Sequence, residues 1–387
     1  MRLTIRQADL APAAKWVERK LPRNANYPVM LTVRFEARGD RLTVTGWDGD
    51  IALRADLDAD VEEEGVALFP GKFMATLLDT LRPNDITIEV DRGAGTLTAP
   101  GVRVDIRPSD ADQWPVTPEP PEVAGAVDGP AFMQAFARVK PASIKPLPEK
   151  APKDKAAEEK VKAEPGGMGS VRLIASDGEL RLATTDRFRV AEDVVPWEPA
   201  TDLGDAFAVV PVQAVEQVRP FARGRLQLAL PVNGTGVAGL AGDGRRVVTK
   251  LAIPKSFPNV DRVLPPKFVA SAQLEAEELL DAVRTVSVVN TKLHRPVWLR
   301  FDGEEVAVSA SDMDTAEMRI DAKLTGSVDR FDIPFRASYL TDGLAQVKGT
   351  VRVDFSGPKS PAVMQGLDGS AFRYIVLPIG DPDRAAA

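Results

Sequence analysis

The stretch LATTDRFRVAED, residues 182 to 193, sets two threonines, an aspartate and two arginines around one phenylalanine. Hydroxyls beside an acid and cations could hold a phosphate, serve a catalytic loop, or wall a partner-binding groove. Elsewhere the reactive inventory is thin. There is no cysteine, which removes disulfides, thiol nucleophiles and thiolate metal sites. The one histidine, His294 in TKLHRPVWL, rules out any site needing two imidazoles, and nothing near it marks a partner, so it reads as a surface or packing residue. No GxxxxGK[ST] loop, GxSxG elbow, HExxH or CxxC occurs. VNGTGVAGLAGDG, residues 232 to 244, is glycine-rich, but strand-like segments flank it and no helix opens after it. A hairpin with tight turns fits it better than a nucleotide site. These residues point to no enzyme, no metal and no cofactor.

The cations are the second resource. A chain of net charge −7 can still meet nucleic acid if its positive charge is segregated. Cations gather on and just after segments of helical spacing: Lys15, Arg19, Lys20 and Arg23; Lys72 and Arg82; Arg138 and Lys140; Arg219 and Arg223; Arg284; Arg336 and Lys348. Scattered single cations with no base-reading motif suit sequence-independent contact with a phosphate backbone. Ordinary exposed helix ends, where the dipole favours cations, show the same pattern, so charge alone leaves both readings open.

A repeated unit must position these residues. RLTVTGWDGDIALRADL, ELRLATTDRFRVAEDV and EVAVSASDMDTAEMRIDA each read as strand, small or hydroxyl residue, aspartate, strand, with Asp48, Asp186 and Asp312 at the kink. After each comes a strand ending at a proline (Pro70, Pro211, Pro334), read as the first helical position, followed by apolar residues at helical spacing. In the first of these helices Phe73, Leu77, Leu78 and Leu81 are expected to form the buried face. Before each comes a strand leading into an amphipathic segment: ADLAPAAKWVERKL, DGPAFMQAFARVK and EAEELLDAVRTVSVV. The repeat is a whole domain long. Proline-rich stretches put the boundaries at residues 1–121, 122–267 and 268–387. KPASIKPLPEKAPKDKAAEEKVKAEPGGMG, residues 140–169, has almost no large apolar side chain and reads as a mobile charged insertion in the second domain. With 44% hydrophobic and 27% charged residues, the composition is that of a soluble globular protein. No run approaches the roughly 20 apolar residues of a membrane span. MRLTIRQADL alternates like a strand and has no signal-peptide core, and the absence of cysteine fits a reducing cytoplasm.

The repeat, the acidic total and the basic helical segments together resemble the bacterial DNA sliding clamp, the beta subunit of DNA polymerase III. ELRLATTDRFRVA is similar to the family's stretch around ATDGHRLA. TKLAIPKSFPNVDRVLP is similar to its SKL…FP…RVLP segment, YIVLPI to its YVVMP strand, and NYPVML to its TLPIL. The resemblance implies an α+β fold of three repeated clamp domains. Helices would line the inside and antiparallel sheets the outside of a dimeric six-domain ring. It implies a processivity factor that encircles double-stranded DNA through non-specific backbone contacts. It would tether the replicative polymerase, the clamp loader and other clamp-binding-motif proteins in a nucleoid-associated place, with no cofactor and no membrane partner. The helix cations above would then face the DNA.

The resemblance also implies a client-peptide pocket, carried over onto Thr185, Arg187, Phe188, Arg189 and Val190; Pro258, Arg262 and Val263; Tyr339; and Ile375, Val376, Leu377, Pro378 and Ile379, with Met168 matching an apolar position. It implies a homodimer seam whose apolar part would include Val104, Ile106, Val288, Val289 and Leu293. Three features depart from the family pattern. Arg187 and Phe188 replace a glycine and a histidine, GDPDRAAA replaces a short basic terminus, and the insertion leads into one pocket wall. They imply a shifted client preference, or resistance to a ligand that occupies the usual pocket. The alternative is a clamp-like regulatory paralogue that binds partner peptides without encircling DNA.

Overall fold

The computed structural model describes residues 1–23, 27–144, 167–200, 206–260, 263–290, 296–327 and 330–380. Arg262, Leu293, His294 and residues 145–166 of the insertion lie outside the described residues. The chain folds as two compact units. One comprises Met1–Pro130, Glu198–Ala206 and Gln213–Leu251, the other Ala131–Trp197, Phe207–Val212 and Ala252–Ala387.

The first unit holds a five-stranded antiparallel sheet in the order Asp60–Glu63, Arg2–Arg6, Asp85–Asp91, Ala94–Ala99, Val102–Ile106. Its nine-stranded sheet runs from Glu198–Pro199 through Gly125–Asp128, Arg225–Ala229, Val237–Gly242, Arg245–Lys250, Ile51–Asp58, Arg41–Trp47 and Thr32–Arg38 to Gly65–Pro70. Helices α1 (Gln7–Glu18) and α2 (Gly71–Thr80) pack on each other, and α1 also packs on the nine-stranded sheet. Helix α1 buries Leu10, Ala13, Ala14, Trp16 and Val17 and turns Lys15 and Arg19 outward. Phe35 and Phe69 meet edge to face at 5.2 Å in this core.

The second unit holds a nine-stranded sheet: Ala206–Pro211, Ser170–Ser176, Glu179–Thr185, Arg189–Pro196, Arg373–Val376, Ala362–Gly366, Thr350–Phe355, Ala270–Glu275, Lys323–Gly326. A four-stranded sheet follows the order Thr315–Asp321, Glu305–Ser311, Pro296–Asp302, Arg330–Arg336. Helix α3 (Gly129–Val139) precedes α5 (Ala276–Val286) and α6 (Ala337–Leu344), which pack together, whereas the short α4 (Val212–Glu216) belongs to the first unit from Gln213 on. Helix α5 shows why such a segment is helical. Leu279, Leu280, Val283 and Val286 fall on one buried stripe, Glu277 and Glu278 sit in the first turn, and Arg284 sits in the last, each sign complementing the dipole.

The expected repeat is visible in the elements. Strands Arg2–Arg6, Gly125–Asp128 and Ala270–Glu275 each run straight into a helix, α1, α3 and α5. Strands Gly65–Pro70, Ala206–Pro211 and Arg330–Arg336 each run into α2, α4 and α6. The glycine-rich stretch is a hairpin. Val237–Gly242 and Arg245–Lys250 pair through Asp243–Gly244, both at positive φ (47° and 66°), as a two-residue type I′ turn requires.

Four expectations are corrected. The prolines do not open helices. Pro70 and Pro211 end their strands, and Pro334 lies inside Arg330–Arg336, opposite Trp298. All three strands are sheet edges, where a residue without an N–H takes no bond from the ladder. The buried face of α2 is Gly71, Met74, Ala75 and Leu78, while Phe73 is exposed, because the stripe that meets α1 and the sheet is the one through Met74 and Leu78. The fourth helix is short, since α4 ends at Glu216 and turns replace it up to Pro220. The insertion is narrower than 140–169: a 3-10 turn spans Lys140–Ala142, and the Ile144 N–H donates to the Met168 carbonyl at 2.9 Å.

Candidate functional site

The LATTDRFRVAED stretch forms the end of Glu179–Thr185, a tight turn and the start of Arg189–Pro196. Asp186 closes the turn: its Oδ1 accepts the N–H of Phe188 at 3.0 Å and of Arg189 at 3.1 Å. Asp48 does the same in the first repeat, accepting the N–H of Asp50 and Ile51. The frame is therefore structural, an Asx turn used twice. In the third repeat the turn closes differently, with the Asp312 N–H donating to the Asp314 carbonyl. The residue after the aspartate is where copies diverge. Gly49 has φ 104°, while Arg187 has φ 78°, a conformation that costs a side-chain-bearing residue roughly 1–2 kcal/mol. Paid at this turn, the strain points Arg187 and Phe188 into solvent, where both are exposed.

Below them lies a hydrogen-bonded knot. Arg189 Nε donates to Asp186 Oδ2 at 2.8 Å, and its Nη1 donates to Asp342 Oδ2 at 2.6 Å and to the Tyr374 hydroxyl at 3.3 Å. The guanidinium also lies 4.5 Å above the Tyr339 ring. The Tyr374 hydroxyl in turn donates a hydrogen bond to the Tyr339 carbonyl at 2.9 Å. Burial opposes the charge on Arg189, but these acidic partners more than offset it and hold its pKa above the usual arginine value. Burial pushes the Tyr374 hydroxyl up as well, so it remains a donor. Tyr339 takes a second cation: Arg336 Nη1 donates to its hydroxyl at 3.0 Å. Phe188 stacks on the same ring, centroids 6.4 Å apart and planes 25° apart.

The expected pocket residues divide into floor and shelf. Met168, Thr185, Arg189, Val190, Tyr339, Ile375 and Val376 are buried. Val190 and Ile375 pair across neighbouring strands and share a core cluster with Phe257 and Val260, against which Val263 packs. Arg187 and Phe188 are exposed, and Pro258, Val263, Leu377, Pro378 and Ile379 are half-buried. The Leu377 N–H donates to the Phe188 carbonyl at 2.9 Å, which ties the C-terminal strand to the turn. Arg189 offers no free charge at the surface, because its charge is spent on Asp186 and Asp342 inside the unit. Asp342 was missed because its role depends on a partner 153 positions away in the chain.

The expected DNA-facing cations also divide. In the first unit the side chains of Arg19, Lys72, Arg82, Arg219 and Arg223 are exposed and make no ion pair among the described residues. Arg23 is exposed too. Lys15 pairs with Asp79 at 3.0 Å, and Lys20 is largely buried against Asp48 at 3.5 Å. Arg245 was not expected. It joins Lys15, Arg19 and Arg223 around a cavity of about 330 Å³ beside Trp16, with its guanidinium 5.9 Å from the indole centroid. Among the described residues its one ion-pair partner is Asp243, 3.8 Å away. In the second unit Lys140, Arg284 and Lys348 are exposed, Arg284 within 3.7 Å of Asp281, and Arg336 is turned onto Tyr339. Arg138 is corrected. Its Nη2 lies 2.6 Å from the fully buried Asp193 Oδ2, so it neutralises a core acid instead of offering a free charge.

At the expected seam, Val104 lies on the edge strand Val102–Ile106 and Val288 is 82% exposed, with Val289 half-buried beside it. Ile106 is buried in its own unit, so it has little surface left to contribute. Among the described residues no group of acids and imidazoles could hold a metal, and no helix is long and apolar enough to cross a membrane.

Residues 1–118 match the family described as DNA polymerase III beta subunit, N-terminal domain, and residues 261–380 match its C-terminal domain. The chain belongs to the DNA polymerase III beta-subunit family. It is similar to the beta sliding clamp of Streptomyces coelicolor, 26% identical over 98% of this chain and 99% of that protein. It is similar to the beta sliding clamp homolog GriR of Streptomyces muensis, 28% identical over the same shares. The crystal structure of the DNA polymerase III subunit beta from Pseudomonas aeruginosa covers 98% of this chain and 100% of its own, at 20% identity and a TM-score of 0.85, and so shares the fold. The α+β architecture of largely antiparallel sheets is the clamp fold.

Proposed function

We propose that this chain is a DNA polymerase processivity factor. Two copies would close a ring of six domains, three per chain with the limits 1–121, 122–267 and 268–387. The ring would encircle duplex DNA without reading its sequence and tether a polymerase, a loader and other clients, with no catalysis of its own. The observation that carries this is the extent of the match, 98% of this chain against 99% of a beta sliding clamp. The exposed cations of α1, α2 and the Arg219–Arg223 turn support it. They are single charges without aromatic stacking partners, which suits weak and mobile contact with phosphates. The sheet edges support it too. Val102–Ile106 and Thr315–Asp321 are open edges with apolar residues at Val104 and Met318, and the latter strand lies beside the Ser287–Val289 turn that carries Val288.

The client site would be the shelf of Phe188 and Tyr339 with Val263, Leu377, Pro378 and Ile379. The apolar side chains would take an extended peptide's anchors, and Arg187 and Arg336 would face its acidic groups.

The deciding experiment loads the protein onto circular DNA with a clamp loader and ATP, washes in high salt, and then linearises the DNA. A clamp stays on the circle and leaves the linear form. Loss from the circle during the wash overturns the reading. A second reading, a paralogue that binds partners but no longer encircles DNA, is favoured by one observation: the strained Arg187 and exposed Phe188 where the family has glycine and histidine. A monomer by light scattering at micromolar concentration would select it.

A further inference from the structure

A cavity of about 910 Å³ opens beside the four-stranded sheet of the second unit. Its wall is apolar, made by Trp298, Phe331, Pro334, Pro358, Pro378 and Ile379. Trp298 and Pro334 stand opposite each other on paired strands and so share one face of that sheet.

Two observations say what the cavity suits. The first is an open strand edge. Arg330–Arg336 is an edge strand, and its Pro334 carbonyl points off that edge to accept the Ile379 N–H at 3.1 Å. Backbone groups of alternate residues in a strand point the same way. The N–H and C=O of Asp332 and Arg330 therefore point off the same edge beside the cavity that both residues line, with no backbone partner there among the described residues. The second is a stranded acceptor. Asp332 Oδ1 is buried and accepts no hydrogen bond among the described residues, although Arg330 Nε lies 3.7 Å away and Arg300 Nε reaches the other oxygen at 3.4 Å. A buried acceptor without a donor is unfavourable, and it marks Asp332 as the weakly satisfied point of this edge.

We propose that this cavity is a second anchoring site for client proteins. An extended client segment adds as a strand along Arg330–Arg336 and seats a large apolar side chain against Trp298. The inference rests on the client-binding reading above. The C-terminal segment links the two places: Leu377 bonds the Phe188 carbonyl and Ile379 bonds Pro334, so a peptide leaving the Phe188–Tyr339 shelf reaches the cavity across Pro378. The Arg330 guanidinium and the exposed Lys359 at the rim favour a segment with an acidic residue. The stretch DPDRAAA, which follows Gly380 in the sequence, has no large apolar side chain.

The test uses the full-length protein and two labelled peptides from the replicative polymerase of the same organism. One is its short clamp-binding segment, the other the same segment with its native flanks. The flanked peptide is expected to bind about tenfold tighter or better. Deuterium uptake over residues 330–334 is expected to fall with the flanked peptide only. Trp298→Ala should return the flanked peptide to the short one's affinity. So should Ser327→Trp, which fills the cavity from an exposed position and leaves the core intact. Equal binding of both peptides with unchanged uptake overturns the proposal while the client reading stands. Failure of both peptides to bind overturns the client reading itself. A rise in uptake over 330–334 when residues 381–387 are removed from the free protein shows the chain's own tail in the cavity, and also overturns it.

Discussion

Arg189 satisfies two carboxylates, one hydroxyl and one aromatic face at once. Truncation strands Asp186 and Asp342, so Arg189→Ala is expected to cost about 3 kcal/mol, read as a lower denaturation midpoint at unchanged slope. Loss of peptide binding in that variant would thus report unfolding as much as a lost contact. Arg187→Gly is the cleaner probe of client preference, because it relieves a positive φ and leaves the buried knot untouched. Asp193 makes a second test. Burial raises its pKa above the ordinary aspartate value, and the nearby Arg138 only partly opposes that. The folded state then holds the proton more tightly than the unfolded chain. The group's contribution to stability is therefore most favourable at low pH, and it falls as pH rises from the ordinary aspartate range through the raised value. Asp193→Asn should flatten that part of the pH–stability curve, as a thermal melt series against the parent would show. The sequence showed that Arg138 and Arg189 are cations. It could not show that each has a buried acid waiting on another strand, since that pairing exists only once the sheets form.

At the scale of elements, local signals were legible wherever they were self-contained. Alternation marked the strands, Asp-Gly marked the hairpin, and the recurring aspartate marked the turn of the first two repeats. Signals that depend on phase or neighbours were not. Which apolar stripe of α2 is buried depends on what packs against it, so Phe73 turned outward, and Pro334 reads as a helix opener until its strand is known to be an edge. The 910 Å³ cavity was invisible for the same reason, because its walls come from five separate stretches of the chain. Helix α6 carries a further test. A Cβ on Gly343 would lie 2.6 Å from the Tyr374 ring, which anchors Arg189. Alanine is the better helix former by about 1 kcal/mol, yet overpacking costs about 1–3 kcal/mol. Gly343→Ala is expected to destabilise, and to loosen Tyr374 as seen in its near-ultraviolet circular dichroism. Unchanged stability would mean that the ring yields without strain.

For the whole molecule, the edges matter more than the faces. Proline sits on Gly65–Pro70, Glu198–Pro199, Ala206–Pro211 and Arg330–Arg336, and acids crowd Asp60–Glu63. Such residues discourage edge-to-edge pairing. Val102–Ile106 and Thr315–Asp321 lack proline, and Val288 stands exposed near the second of them. If these two edges meet between copies, Val288→Asp should shift a dimer toward monomer in light scattering while leaving the melting temperature of the monomer unchanged. A chain with two unlike sticky edges is also a polar building block. Copies added one after another close into a circle only if their rotations sum to a full turn, and otherwise grow into a filament. If two copies do close in this way, the closure that would hold duplex DNA is the same closure that stops a fibre, and a substitution at either edge that spoiled it would be read first in the electron microscope, as threads in place of rings.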